Sequence, residues 1–150
     1  DQLKLVDGNP GNGNISGSTI LSITKDLDGE MWIGTDEGPC VIYAPGNIFS
    51  GGDFDAQQIL IEQEGIAQIL LETEIITTIE IDGANRKWFG TLNSGAYLMT
   101  SNGTKQVFHF TRQNSPLYAN LINDIVVDNE NGEVFFATEK GVISYKSTAT

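Results

Sequence analysis

The sequence predicts an all-β fold, a partial β-propeller of about three four-stranded antiparallel blades, on three observations. First, Glu30-Met31-Trp32-Ile33-Gly34-Thr35 returns as Lys87-Trp88-Phe89-Gly90-Thr91 and again as Val134-Phe135-Phe136-Ala137-Thr138. Second, an apolar stretch and a polar turn precede each copy, and a further turn and apolar stretch follow it. Self-similarity at this spacing marks stacked supersecondary units. Third, the middle repeat writes four strands, at 75–81, 86–91, 96–100 and 106–111, and no helix. Four short antiparallel strands make a propeller blade, whereas leucine-rich and ankyrin solenoids need a helix in each repeat.

In chain order, residues 3–6 read as a short strand, and the turn formers Asp7-Gly8-Asn9-Pro10-Gly11-Asn12-Gly13-Asn14 follow it. Residues 1–19 are therefore strand and loop. Blade one with an outer extension takes 20–73, blade two 74–113 and blade three 114–150. In blade one, Ile20-Leu21-Ser22-Ile23 leads into the turn Asp26-Leu27-Asp28-Gly29, and 39–43 is the strand after the repeated segment. Residues 58–61 and 66–71, split by Gln63-Glu64-Gly65, read as a hairpin extending that blade outward. A helix over 56–74 is the competing reading, but a central glycine and several isoleucines favour strands. In blade two, Asn102-Gly103 signals a hairpin with 106–110 as the returning strand. Blade three ends at Tyr145 without an outer strand. Trp32, Trp88 and Phe135 share one place, where a ring fills the wedge between blades, and Gly34, Gly90 and Ala137 are small where a second backbone comes close.

Propellers have about four to eight blades, so three do not close a ring. An open ring leaves blade faces and a strand edge unpaired. The expectation is a piece of a larger propeller protein. For the isolated chain it is a homodimer that closes a six-bladed ring, each N-terminal strand completing the partner's third blade.

A net charge of -12 argues against nucleic acid and against an anionic membrane surface. No apolar run approaches the roughly 18 residues of a membrane helix, and the first residues lack the pattern of a signal peptide. The single cysteine, Cys40, excludes an intrachain disulfide and reads as a small buried hydrophobe. Asp26, Asp28, Glu30 and Glu37 imitate a calcium loop, but Met31 stands where that loop needs glycine, so the motif reads as a hairpin turn. Asp128-Asn129-Glu130-Asn131-Gly132 is the same turn with one more residue. His109 alternates with Phe108 and Phe110 in a strand, facing solvent or a neighbouring blade, and one histidine makes no metal site. No nucleophile elbow surrounds a serine, and the glycine-rich stretch at 8–13 lacks the strand-to-helix setting of a phosphate loop. The sequons at Asn14 and Asn102 are expected to be unmodified. Neither metal nor cofactor is implied, and the chain reads as no enzyme.

Binding remains. Turns between the second and third strands of each blade share an edge with the loops that link blades. These turns are Asp36-Glu37-Gly38, Leu92-Asn93-Ser94-Gly95 and Glu139-Lys140-Gly141, with 114–118 beside them. Loops on a rigid scaffold are where propellers display ligand contacts. Asp36, Glu37, Asn93, Ser94 and Glu139 are the candidate ligand-binding residues, suited to sugar hydroxyls, although plain solvated turns explain them too.

The pattern Asp-x-Asp-Gly-x-x-Trp-Ile-Gly-Thr-x-x-Gly from Asp26 to Gly38 resembles the two-component regulator propeller repeat. Three further segments resemble the PorZ-like surface propeller family of the type IX secretion system. They are Leu71-Glu72-Thr73-Glu74, Asp82-Gly83-Ala84-Asn85-Arg86-Lys87-Trp88 and Gly132-Glu133-Val134-Phe135-Phe136-Ala137-Thr138. Val142-Ile143-Ser144-Tyr145 resembles the strand before that family's C-terminal β-sandwich. The resemblance covers 18–146. It implies a scaffold at the surface or in the periplasm of a Gram-negative bacterium, where secreted cargo is joined to lipopolysaccharide. Its implied partners are other surface or secretion-complex proteins and glycan or lipopolysaccharide. The alternative it implies is a glycan-sensing propeller of a hybrid histidine kinase.

Overall fold

The computed structural model describes residues 1–146, and its regular structure is β apart from one 3-10 turn at Pro45–Asn47. Blade one is the meander β1 (Ile20–Lys25), β2 (Met31–Thr35) and β3 (Gly38–Ile42). A two-stranded hairpin, β4 (Leu60–Gln63) and β5 (Ile66–Ile69), follows it. Blade two is β6 (Ile76–Ile81), β7 (Lys87–Thr91), β8 (Ala96–Met99) and β9 (Gln106–Phe110). Blade three is β10 (Ile122–Asp128), β11 (Glu133–Thr138) and β12 (Gly141–Lys146). All ladders are antiparallel and join sequence neighbours, as a partial β-propeller requires.

Each first strand carries the pattern Ile-x-x-Ile, and simple alternation would send its two isoleucines to opposite faces. A β-bulge at the same place in β1, β6 and β10 absorbs one residue. Ile76 therefore pairs with Thr91 and Ile79 with Phe89, two residues apart on one face. This leading face of blade two packs against the trailing face of blade one. Gly34 has no side chain because a Cβ there would lie 2.8 Å from Ile76 Cγ2. Gly90 meets Ile122 Cγ2 at the same 2.8 Å, so the rule holds at both junctions.

The aromatic residues repeat the rule. Trp32 packs on Phe89 of the next blade at 6.1 Å, and Trp88 on Phe136 at 5.3 Å, edge-on. The core accordingly divides into layers between blades. Trp32, Val41, Ile76, Ile79, Phe89 and Met99 join blades one and two, with Ile59 and Leu70 from the ends of the hairpin. Trp88, Leu98, Ile122, Ile125, Val134 and Phe136 join blades two and three. Phe135, at the corresponding place in blade three, is only half-buried.

Two expectations are corrected. Residues 3–6 form no strand, because the chain there turns into a compact loop tied to 48–56 and finds no ladder partner among the described residues. Gly11 and Gly13 donate their N–H groups to the two carboxylate oxygens of Asp55 at 2.8 and 2.9 Å, and Lys4 Nζ donates to the Ile48 carbonyl at 3.0 Å. The expected hairpin after blade one does form, but as a sheet of its own and not as an extension of blade one. The outer edge of β3 is met by a single bridge, Val41 to Gln57. The chain leaves that edge at once to fill the wedge beside Trp32. The last four residues of the span expected for blade three lie outside the described residues.

Candidate functional site

The turn after each second strand is built by a threonine. Thr35, Thr91 and Thr138 donate their hydroxyls to the carbonyls of Gly38, Gly95 and Gly141 and accept N–H groups from Glu37, Ser94 and Lys140. Gly38 and Gly95 sit at φ +82° and +75°, where side chains are strained, and a Cβ on either would strike a backbone carbonyl, that of Leu71 or of Phe110. Hydrogen bonds from Gly38 N to Glu74 O and from Gly95 N to Asn120 O seat these turns on the linkers to the next blades. The five candidate residues therefore occupy the turn edge, each beside a linker or at the equivalent place.

The structure divides them. Asp36 is spent internally: Oδ1 accepts the N–H groups of Ser18 and Thr19, and Oδ2 the Ser18 hydroxyl at 2.8 Å. The Thr19 and Ser18 amides hold its carboxyl below the usual range. Ser94 donates to Glu74 Oε1 at 2.7 Å, and its carbonyl lies 2.7 Å from His109 Nε2. Glu37, Asn93 and Glu139 are exposed, and their side chains have no hydrogen-bond partner among the described residues.

Sequence reasoning missed a second feature, a groove of about 880 Å³ between the β4–β5 hairpin and the outer strands of blade two. Tyr97 and His109 stack within it at 3.8 Å between ring centroids and 10° between planes. Burial, and then the charge of Glu74, push the Tyr97 hydroxyl up. Counting outward from the Asn102-Gly103 turn places Phe108 opposite Tyr97. The bulge between Leu98 and Met99 slips the register by one and brings in His109. Glu74, Ser94 and His109 satisfy one another, so the inner polar groups of the groove hold the blade to its linker. Glu62, Gln68, Glu72 and Lys105 form its rim.

The Asp26 turn is a further site that the sequence described only in part. Asp26 Oδ1 accepts the N–H groups of Asp28 and Glu30, which makes the hairpin turn. Its Oδ2 accepts Trp32 Nε1 and the Lys87 ammonium, both at 3.0 Å, and the latter comes from the next blade. Lys87 is wholly buried, donates also to the carbonyls of Asn85 and Ser101, and lies 4.8 Å from the Trp32 ring centroid. Burial pushes the Asp26 carboxyl up, but the Glu30 amide, Lys87 and Trp32 outweigh it and leave it below its ordinary value. Carboxylate oxygens of Asp26, Asp28 and Glu30 lie within 4.8 Å of one another, yet the positive charge at Asp26 is supplied by Lys87. In blade two the equivalent carboxylate, Asp82, is taken by Arg86 at 2.8 Å, and Trp88 Nε1 has no hydrogen-bond partner among the described residues.

No family model matches the chain, and no curated protein matches it. Among solved structures, the chain is similar to PorZ, an essential bacterial surface component of the type-IX secretion system of Porphyromonas gingivalis. The TM-score is 0.81 at 28% identity, over 85% of this chain. The chain resembles PorZ. It spans 17% of the length of PorZ. A putative gluconolactonase shares the fold, with a TM-score of 0.61 at 10% identity over 89% of this chain and 40% of its own. The extracellular domain of a putative hybrid two-component system protein from B. thetaiotaomicron gives 0.48 at 20% identity, covering 92% of this chain and 22% of that one. The described residues hold no helix long and apolar enough to cross a membrane.

Proposed function

We propose that this chain is a blade-bearing part of a bacterial surface protein. Its propeller serves as a non-catalytic scaffold where secreted cargo is attached to lipopolysaccharide. The similarity to PorZ over 85% of the chain carries this reading. The interior chemistry supports it too. The single histidine is engaged with Tyr97 and the Ser94 carbonyl inside blade two, and Asp26 with Trp32 and with Lys87 of the next blade, so these groups are committed to holding the blades in shape and together. The turn edge bearing Glu37, Asn93 and Glu139 is the place for a glycan or a secretion-complex partner.

The test is inactivation of the gene in its own bacterium, with cell-bound and released cargo separated and probed for attached lipopolysaccharide. Cargo shed into the medium without lipopolysaccharide supports the proposal. Intact attachment, accompanied by loss of a transcriptional response to added glycan, would overturn it in favour of a sensor.

A further inference from the structure

The groove between the β4–β5 hairpin and the outer strands of blade two is built within 60–110, and blade two has its four strands. Neither wall therefore depends on where the chain starts or stops. Its volume of about 880 Å³ lies in the upper part of the range for ligand sites, about 300–1,000 Å³. Ile61, Ile69, Leu70 and Met99 give it an apolar floor. Three carboxylates, Glu62, Glu72 and Glu74, line it against one ammonium, Lys105. The bonds among its inner groups leave capacity over. Ser94 takes one oxygen of Glu74, and the Ser94 carbonyl, which can only accept, fixes a His109 proton on Nε2. In the neutral ring Nδ1 is then an acceptor. Glu74 Oε2, His109 Nδ1 and the Tyr97 hydroxyl have no hydrogen-bond partner among the described residues. Two of these three groups only accept, and one belongs to a carboxylate, so together they call for a donor of positive charge.

We propose that this groove binds an extended basic segment of a partner protein, with one arginine or lysine seated against Glu74 and Tyr97. Charge complementarity selects the cation, since carboxylates outnumber ammonium groups along the walls. Such a side chain lays its stem on apolar surface while its head keeps polar contacts, which matches this floor and rim. The strands beside the groove make the occupant a peptide and not a small polyamine. β9, which supplies Gln106 and His109 to the wall, ends its sheet, and its outer edge pairs with no strand among the described residues. It holds no proline and no lysine, the residues that blunt an edge. The hairpin opposite pairs only with itself. An extended chain adds to such an edge through main-chain hydrogen bonds, and its alternate side chains then enter the groove.

The test is fluorescence anisotropy of a labelled peptide of alternating arginine and valine, titrated with the whole chain. Wild type should bind it saturably. The citrulline peptide, which keeps the shape and loses the charge, should bind about tenfold more weakly or worse. Glu74→Gln keeps an acceptor for the Ser94 hydroxyl and should also weaken binding about tenfold. Glu130→Gln, which removes the same charge from an exposed turn of blade three, should leave binding unchanged. An N-methylated peptide, stripped of its ladder donors, should lose a similar factor, and spermidine should compete only weakly. The proposal is overturned if wild type does not bind or if Glu74→Gln matches Glu130→Gln. It is overturned equally if the citrulline or N-methylated peptide binds as well as the parent, or if spermidine competes as well. Should Glu74→Gln fail to fold, Glu62→Gln combined with Glu72→Gln decides, because both residues are exposed. A loss of about threefold supports the site, and no loss overturns it.

Discussion

Lys87→Met is the sharpest probe of how blades one and two are locked. Position 87 falls in the same place as Met31 and Val134, so an apolar side chain suits the strand itself. What the substitution removes is the ammonium at 3.0 Å from Asp26, both side chains being wholly buried. Deleting one partner of a buried pair costs about 3–5 kcal/mol, since the other charge is left behind. Asp26 keeps three N–H donors, from Asp28, Glu30 and Trp32, so the loss belongs near the lower end, about 3 kcal/mol. In urea, with a slope of about 2 kcal/mol per molar, the midpoint should fall by about 1.5 M. The pH dependence carries a sign. Asp26 is depressed in the folded state, so its contribution is present above the unfolded value, about pH 4, and is lost as pH falls through the folded value. Wild type and variant should therefore converge in acid. A neutral-pH loss below about 1 kcal/mol, or a gap that stays constant down to pH 2, would refute the assignment of a lock.

Three further outcomes follow from the same geometry. Gly90→Ala should cost about 1–3 kcal/mol in urea unfolding, because its Cβ would lie 2.6 Å from Thr78 Cγ2 and 2.8 Å from Ile122 Cγ2. Glu80 is pushed up by burial and then by Asp124, against the Val127 amide. A raised carboxyl loses stability as pH rises through its folded value, so Glu80→Gln should raise the melting temperature by a few degrees at pH 7 and leave it unchanged at pH 4. Replacing Glu37, Asn93 and Glu139 together by alanine should keep stability within about 0.5 kcal/mol per site while weakening retention on immobilised lipopolysaccharide. Undiminished retention would remove the turn edge from the binding surface.

The repeat was legible because its physics is local. A hairpin turn needs aspartate and glycine, a blade strand needs alternation, and a junction needs a ring beside a small residue. The assignment of Trp32, Trp88, Gly34 and Gly90 to junctions rested on these needs, and the structure supplies their partners. Residues 3–6 misled because a short apolar run signals a strand whether or not a partner edge is near. His109 escaped because a one-residue bulge earlier in its own strand decides what it faces. The candidate site was legible as a set of turns, but not in which side chains the fold consumes: Asp36 and Ser94 look like Glu37 and Asn93 until Ser18 and Glu74 are brought beside them.

The sequence by itself determined an all-β chain of three repeated blades, because turn chemistry and side-chain periodicity act over a few residues. Only the tertiary structure decided the Lys87–Asp26 lock, the Tyr97–His109 stack and the packing of Phe54 and Ala56 with Ile33. Each joins residues separated by a turn or a whole blade, and bulge register and blade packing set those meetings, which no short stretch of sequence encodes.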